Sequence, residues 1–143
     1  NATDVAGNVA TAKTTNYHVV YNETIQPLKR TAQLGSAVQV EYLLQDGTGS
    51  VISDLSTLVK MESVYNGPAS GGCVPSEVGI RQILFSFPEG ATGSSSFRFL
   101  NPSFRLNWDT TTASTTGKGC YTVLIYLDDK PTTPRLTTAT QLK

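Results

Sequence analysis

Apolar and polar residues alternate along most of this chain, and the spacing typical of a helix is hard to find. The clearest run is residues 36–44, where Val38, Val40, Tyr42 and Leu44 occupy every second position. Because successive side chains of a strand point to opposite faces, these four share one face. The segments between such runs are rich in Gly, Pro, Asn, Asp, Ser and Thr, which are typical of turns. The pattern predicts an all-β fold.

Seven further runs have the length and the turn-bounded spacing of strands. They are residues 51–52, 58–65, 80–87, 96–100, 104–108, 120–127 and 135–142. Short strands at this spacing are typical of a β-sandwich. We therefore predict an immunoglobulin-like antiparallel β-sandwich of about eight strands over residues 24–143, with an extra N-terminal strand.

The apolar faces of three of these strands supply the expected core. Trp108 shares its face with Phe104 and Leu106, so we expect this ring to be buried and not exposed as a glycan-binding platform. The residues predicted to form the core are Val38, Val40, Tyr42, Phe104, Leu106, Trp108, Val123 and Ile125.

The charge balance argues against two classes of partner. The 143 residues, enough for one sizeable domain, include 11 basic and 11 acidic side chains and carry no net charge. Binding to nucleic acid or to anionic membranes needs an excess of Lys and Arg on one face. We expect no nucleic acid partner, and no membrane insertion either, because no apolar run approaches the length of a membrane span.

The chain holds few of the residues from which catalytic or metal sites are usually built. His18 is its only histidine, and no G-x-S-x-G nucleophile motif accompanies it, so a packing or surface role is expected. Glu41 and Glu62 fall on the polar side of the alternation and are expected to face solvent. Aspartates near turns suit calcium, but turn chemistry alone explains them. We expect no enzyme activity, no cofactor and no metal.

Cys73 and Cys120 are the only cysteines. In an exported chain, an even pair is most simply a single disulfide, and two buried free thiols are the alternative. A redox or metal pair is not favoured, because the sequence has no CxxC or Cys/His spacing. A bridge closing a loop of this length stabilises a domain by about 4 kcal/mol in the chain-entropy account.

The N-terminal residues differ from the rest of the chain. The stretch Thr3-Asp4-Val5-Ala6-Gly7-Asn8, followed by residues 9–21, resembles the closing hairpin of a bacterial immunoglobulin-like repeat. A final strand without its own sheet must pair elsewhere, because its amides would otherwise lack partners. We therefore predict that residues 1–23 form a strand or linker distinct from the domain at 24–143. The residues expected to make the pairing are Val9, Tyr17, Val19 and Tyr21.

The strand at residues 37–42, Ala-Val-Gln-Val-Glu-Tyr, is followed by later landmarks: Cys73, the Phe104-x-x-x-Trp108-x-Thr110 strand, and Gly119-Cys120 leading to Asp128-Asp129. With these features, residues 24–143 resemble the PxKF family, small β-domains of bacterial and archaeal secreted and surface proteins. The family's own strand is Ala-Val-Pro-Val-Lys-Phe, so Gln39, Glu41 and Tyr42 stand in place of its proline, lysine and phenylalanine. The resemblance implies an extracellular sandwich with a Cys73–Cys120 bridge and no known catalytic residues.

Together these features predict a non-catalytic structural module of an extracellular surface protein. It would be either a filament or pilus-like subunit joined by N-terminal β-strand donation, or a repeat in a stalk. The expected partners are other copies of the chain or neighbouring immunoglobulin-like domains. The alternative is an accessory module of a secreted enzyme or adhesin, with a carbohydrate or a receptor as its ligand.

Overall fold

A computed structural model describes residues 20–111 and 116–143, and its strands form two packed β-sheets. The predicted all-β sandwich is confirmed. The strands are β1 Asn22–Ile25, β2 Thr31–Ala32, β3 Ala37–Gln45, β4 Leu58–Gly67, β5 Ile80–Ser86, β6 Gly90–Ala91, β7 Ser96–Leu100, β8 Ser103–Asp109, β9 Gly119–Leu127, β10 Arg135–Leu136 and β11 Thr140–Leu142. In the described part of the chain, no helix is long and apolar enough to span a membrane.

The smaller sheet has four strands in the order β1-β3-β8-β7. The larger sheet has the order β2-β11-β9-β4-β5-β6, and β10 pairs with β9 beside β11. All described strand pairs are antiparallel except β2 and β11, which are parallel. The predicted antiparallel pairing therefore holds at every described pair but this one, which joins the first part of the domain to its last strand.

Most long strands lie where the alternation predicts them. The range 96–100 coincides with β7, and the ranges 36–44 and 120–127 lie within one residue of β3 and β9. The range 135–142 divides into β10 and β11, and 51–52 forms a single bridge from Val51 to the end of β3. The short strands β1, β2 and β6 were not predicted, because two to four residues are too few to show a period.

The core lies between the two sheets, and the eight residues predicted to form it are at most 1% exposed. Aromatic rings fill much of it. Tyr42 on β3 stacks against Phe104 on β8, with 5.1 Å between ring centroids. Trp108 on β8 meets Tyr121 on β9 edge to face at 5.6 Å, so this ring pair joins the two sheets.

Substitution of Leu106 tests the packing of this core directly. We expect Leu106→Ala to lower the free energy of unfolding by about 2–5 kcal/mol, because the substitution leaves a cavity in a fully buried site. Urea denaturation followed by tryptophan fluorescence measures the loss. The matched control is Leu55→Ala at an exposed leucine. If Leu55→Ala lowered the free energy of unfolding as much as Leu106→Ala, the result would contradict the difference in burial between the two residues.

Candidate functional site

The residues proposed for strand pairing lie at and before the start of β1. Val9, Tyr17 and Val19 lie outside the described residues, but Tyr21 is only 9% exposed and belongs to the core of its own domain. Burial, followed by a hydrogen bond with Asp128, raises the pKa of the Tyr21 hydroxyl. Tyr21 therefore packs within its own domain and not in a neighbouring one. The domain begins before the predicted boundary at residue 24.

Residues 21–34 and 129–143 run side by side in the same direction, and we call the contacts between them the terminal interface. Its first part is made by charged side chains. The Tyr21 N–H donates to Asp129 at 3.3 Å. The Arg135 guanidinium reaches both Glu23, at 3.3 Å, and Asp129, at 2.8 Å. The Asp129 side chain is fully buried and that of Arg135 nearly so, which excludes water from this ion pair.

The second part of the terminal interface is made mainly by the backbone around β2 and β11. The Leu28 N–H first donates to the Thr138 hydroxyl at 2.7 Å. Beyond it are three main-chain hydrogen bonds: Gln141 N–H to Arg30 carbonyl at 2.9 Å, Lys143 N–H to Ala32 carbonyl at 2.9 Å, and Leu34 N–H to Lys143 carbonyl at 3.0 Å. The contacts keep the same order along both segments, so the interface extends along the length of the sandwich.

The two ends of the terminal interface lie at opposite ends of the domain. Tyr21 contacts the turn that follows Leu127, the last residue of β9. Leu142 pairs with Gly119, the first residue of β9. A strand of nine residues spans about 27 Å from first to last Cα. We call the end at Tyr21 the top of the domain and the end at Leu142 the bottom.

The cysteines form a disulfide at the bottom of the domain. Cys73, in the loop after β4, is bonded to Cys120 near the start of β9. Cys120 is also paired in register with Gln141 of β11, so the bridge lies beside the terminal interface. Gly119 lets β9 approach β4 closely here, since a Cβ at this residue would lie 2.5 Å from the carbonyl oxygen of Gly67.

Glu62 does not face solvent, and that expectation was wrong. The residue is 7% exposed on the outer face of the larger sheet, where Val64 and Leu124 are also buried. Its carboxylate accepts hydrogen bonds from Lys60 at 2.9 Å, from Arg81 at 3.1 Å and from the Tyr126 hydroxyl at 2.9 Å. The alternation correctly places Glu62 on the face opposite Met61, but it does not show that Lys60, Arg81 and Tyr126 surround the carboxylate there.

The electrostatics of Glu62 favour a structural role over a catalytic one. Burial alone raises the pKa of this carboxyl, but the hydrogen bonds from Lys60 and Tyr126 and the charge of Lys60 outweigh burial and lower it. A general acid needs the opposite shift, toward neutral pH. Glu62 is thus held as a carboxylate that neutralises two basic side chains. Glu41, half-buried on β3, forms a comparable ion pair with Arg105 at 3.1 Å.

The aspartates near turns are engaged in turn geometry. Asp46 accepts hydrogen bonds from the Thr48 hydroxyl and from the N–H groups of Thr48 and Ser50. These hydrogen bonds lower the pKa of the Asp46 carboxyl. Asp54 caps the short 3-10 turn at Leu55–Thr57. Among the described residues, no three His, Cys, Asp or Glu side chains are grouped closely enough to hold a metal ion.

Few aromatic rings face solvent in the described ranges. Trp108 is buried, and among the exposed large hydrophobic residues of these ranges the aromatic one is Phe87, which is 51% exposed. A glycan platform needs a flat, accessible ring surface, which one half-exposed phenylalanine does not supply. His18 lies outside the described residues, so its expected packing or surface role stays a prediction.

No family model and no curated protein matches this chain. The resemblance to the PxKF family therefore stays a prediction based on sequence motifs.

Reduction of the disulfide tests its contribution to stability. We expect the free energy of unfolding to fall by about 4 kcal/mol, because the reduced unfolded chain is no longer closed across 47 residues. Urea denaturation with and without a phosphine reductant measures the difference, and the Cys73→Ser/Cys120→Ser variant should match the reduced protein. A variant as stable as the oxidised protein would contradict the expectation.

The pH dependence of stability tests the position of Glu62. The pKa of the Glu62 carboxyl is lower in the native state than in the unfolded chain, so ionisation of this group stabilises the fold. This stabilisation is complete above about pH 4.3 and is lost as the pH falls through the native pKa. We expect Glu62→Gln to be about 1–3 kcal/mol less stable at pH 7, and the gap to close on acidification. Glu77→Gln is the control, since Glu77 contacts the same Arg81 from an exposed position at 3.9 Å. Equal effects of the two substitutions would contradict the structural role of the buried Glu62 carboxylate.

Proposed function

We propose that this domain is a non-catalytic structural module of an extracellular surface protein, one unit in an end-to-end series. The observation that carries the proposal is the separation of the two ends of the terminal interface. A unit placed before β1 would adjoin the top of the domain, and a unit placed after β11 would adjoin the bottom. Units joined in this way extend in a line.

The chemistry of the domain supports an exported location. A disulfide persists in oxidising compartments and is rare in the cytosol. The chain carries no net charge, and only 15% of its residues are charged. A weakly charged surface of this kind suits a spacer, which needs neither a focused charge nor a deep cleft.

Two ways of joining units are compatible with this proposal. In the stalk repeat, neighbouring domains follow one another in a single chain. In the filament, residues 1–19 of one copy add a strand to the next copy, with main-chain hydrogen bonds supplying the affinity. The stalk repeat is favoured, because residues 21–25 already pair within their own domain.

Labelling of intact source cells tests the location. We expect antibodies raised against the purified domain to bind before permeabilisation, and a maleimide reagent to leave Cys73 and Cys120 unmodified until reductant is added. An antibody to a cytosolic protein is the control. Binding only after permeabilisation, or free thiols in the cell, would overturn the extracellular assignment.

Size-exclusion chromatography and negative-stain microscopy separate the two ways of joining. We expect monomers from both the full chain and a variant lacking residues 1–19, as the stalk repeat requires. Polymers that disappear in the shortened variant would establish strand donation in its place. Polymers that persist without these residues would overturn both.

A further inference from the structure

The two segments of the terminal interface are parallel, which fixes how they respond to a pull on the domain. The first segment enters at the top through Tyr21, and the last leaves at the bottom through Lys143. A pull on these two ends moves the segments in opposite directions along their own axes. All of the hydrogen bonds between them are then strained together, whereas peeling would break them one after another.

The interface has several links that can share such a strain. Two are at the top: the Tyr21 N–H donates to the buried Asp129 carboxylate, and Arg135 pairs with Glu23. Four more are the Leu28–Thr138 hydrogen bond and the three main-chain bonds around β2 and β11. Leu28 and Leu142 are buried beside them, so the interface also covers part of the apolar core.

Each segment is also anchored to a central part of its sheet. β11 pairs with β9, which lies between β11 and β4. β1 pairs along its whole length with β3, and the Gln26 N–H continues the pairing to the Glu41 carbonyl at 2.9 Å. Strain applied at either end is therefore passed along strand axes into both sheets.

We propose that this domain resists tension along its long axis, with the terminal interface as the element that bears it. The inference rests on the proposed function, because a unit within an end-to-end series is pulled at both ends. It assigns to the module a mechanical task beyond spacing. Cell-surface location and mechanical resistance are measured separately, so the failure of one is distinguishable from the failure of the other.

Single-molecule pulling in two directions tests the proposal on the full oxidised chain. One geometry holds the chain by its two ends and strains the terminal interface lengthwise. The other holds the N-terminus and residue Thr133, which lies in the exposed turn at the top, and peels the segments apart. Because forced unfolding follows the unfolding barrier, we expect a rupture force several-fold higher in the first geometry. Equal forces would overturn the proposal.

A matched pair of arginine variants tests whether the interface itself bears the strain. Arg135→Gln removes the link to Glu23 and the ion pair with Asp129 that holds Arg135 in place, while Arg105→Gln removes the ion pair with Glu41 outside the interface. We expect Arg135→Gln to lower the end-to-end rupture force well below that of Arg105→Gln. Thr138→Val, which removes the acceptor for Leu28, replaces Arg135→Gln if that variant fails to fold. Forces indistinguishable from the control variant would overturn the assignment.

The disulfide gives each trace an internal check. Oxidised molecules cannot extend between the two cysteines, which are 47 positions apart in the sequence, whereas reduced molecules release up to roughly 170 Å more at ~3.6 Å per residue. Traces used for the comparison must show this increase after reduction. If reduced molecules rupture without releasing this additional length, the domain has opened only in part. A partial opening of this kind that occurs at low force and separates the terminal interface would overturn the proposal.

Discussion

Complete burial of β9 is the constraint on which the rest of the structure depends. All nine of its residues are buried, so its peptide groups must find partners within the protein. β4 pairs along one edge, and β10 and β11 share the other. Its inward side chains, such as Val123 and Ile125, meet the smaller sheet. The positions of β10 and β11, and hence of the terminal interface, follow from the need to close this edge.

Much of the fold could be predicted because the long strands keep a strict period of two. β3 and β8 alternate without interruption, and each side chain in them lies on the face that the sequence indicates. β4 could not be predicted in the same way. Its register shift against β9 between Leu58 and Lys60 puts Leu58 and Met61, three positions apart, on the same core face, with Val59 on the other face. This irregularity depends on the pairing with β9, so the local sequence of β4 carries no signal for it.

The candidate site was predictable only in part, for a related reason. The disulfide could be anticipated because the chain has two cysteines and one way to pair them. Tyr21 was assigned to a neighbour because it continues the spacing of Tyr17 and Val19, while its actual partners, Asp128 and Asp129, lie more than a hundred residues away. A contact of this range leaves no periodic mark in either segment.

The terminal interface also determines when the domain can finish folding. Its contacts join residues 108 to 112 positions apart, such as Leu28 with Thr138 and Glu23 with Arg135. Contacts of such long range form slowly, because ordering the intervening chain comes first. A chain emerging from the ribosome or from a secretion pore, N-terminus first, holds residues 21–34 without their partners until its last segment is released. The topology is therefore compatible with translocation of the chain in an extended state. The terminal interface forms only after the last segment has left the ribosome or the pore.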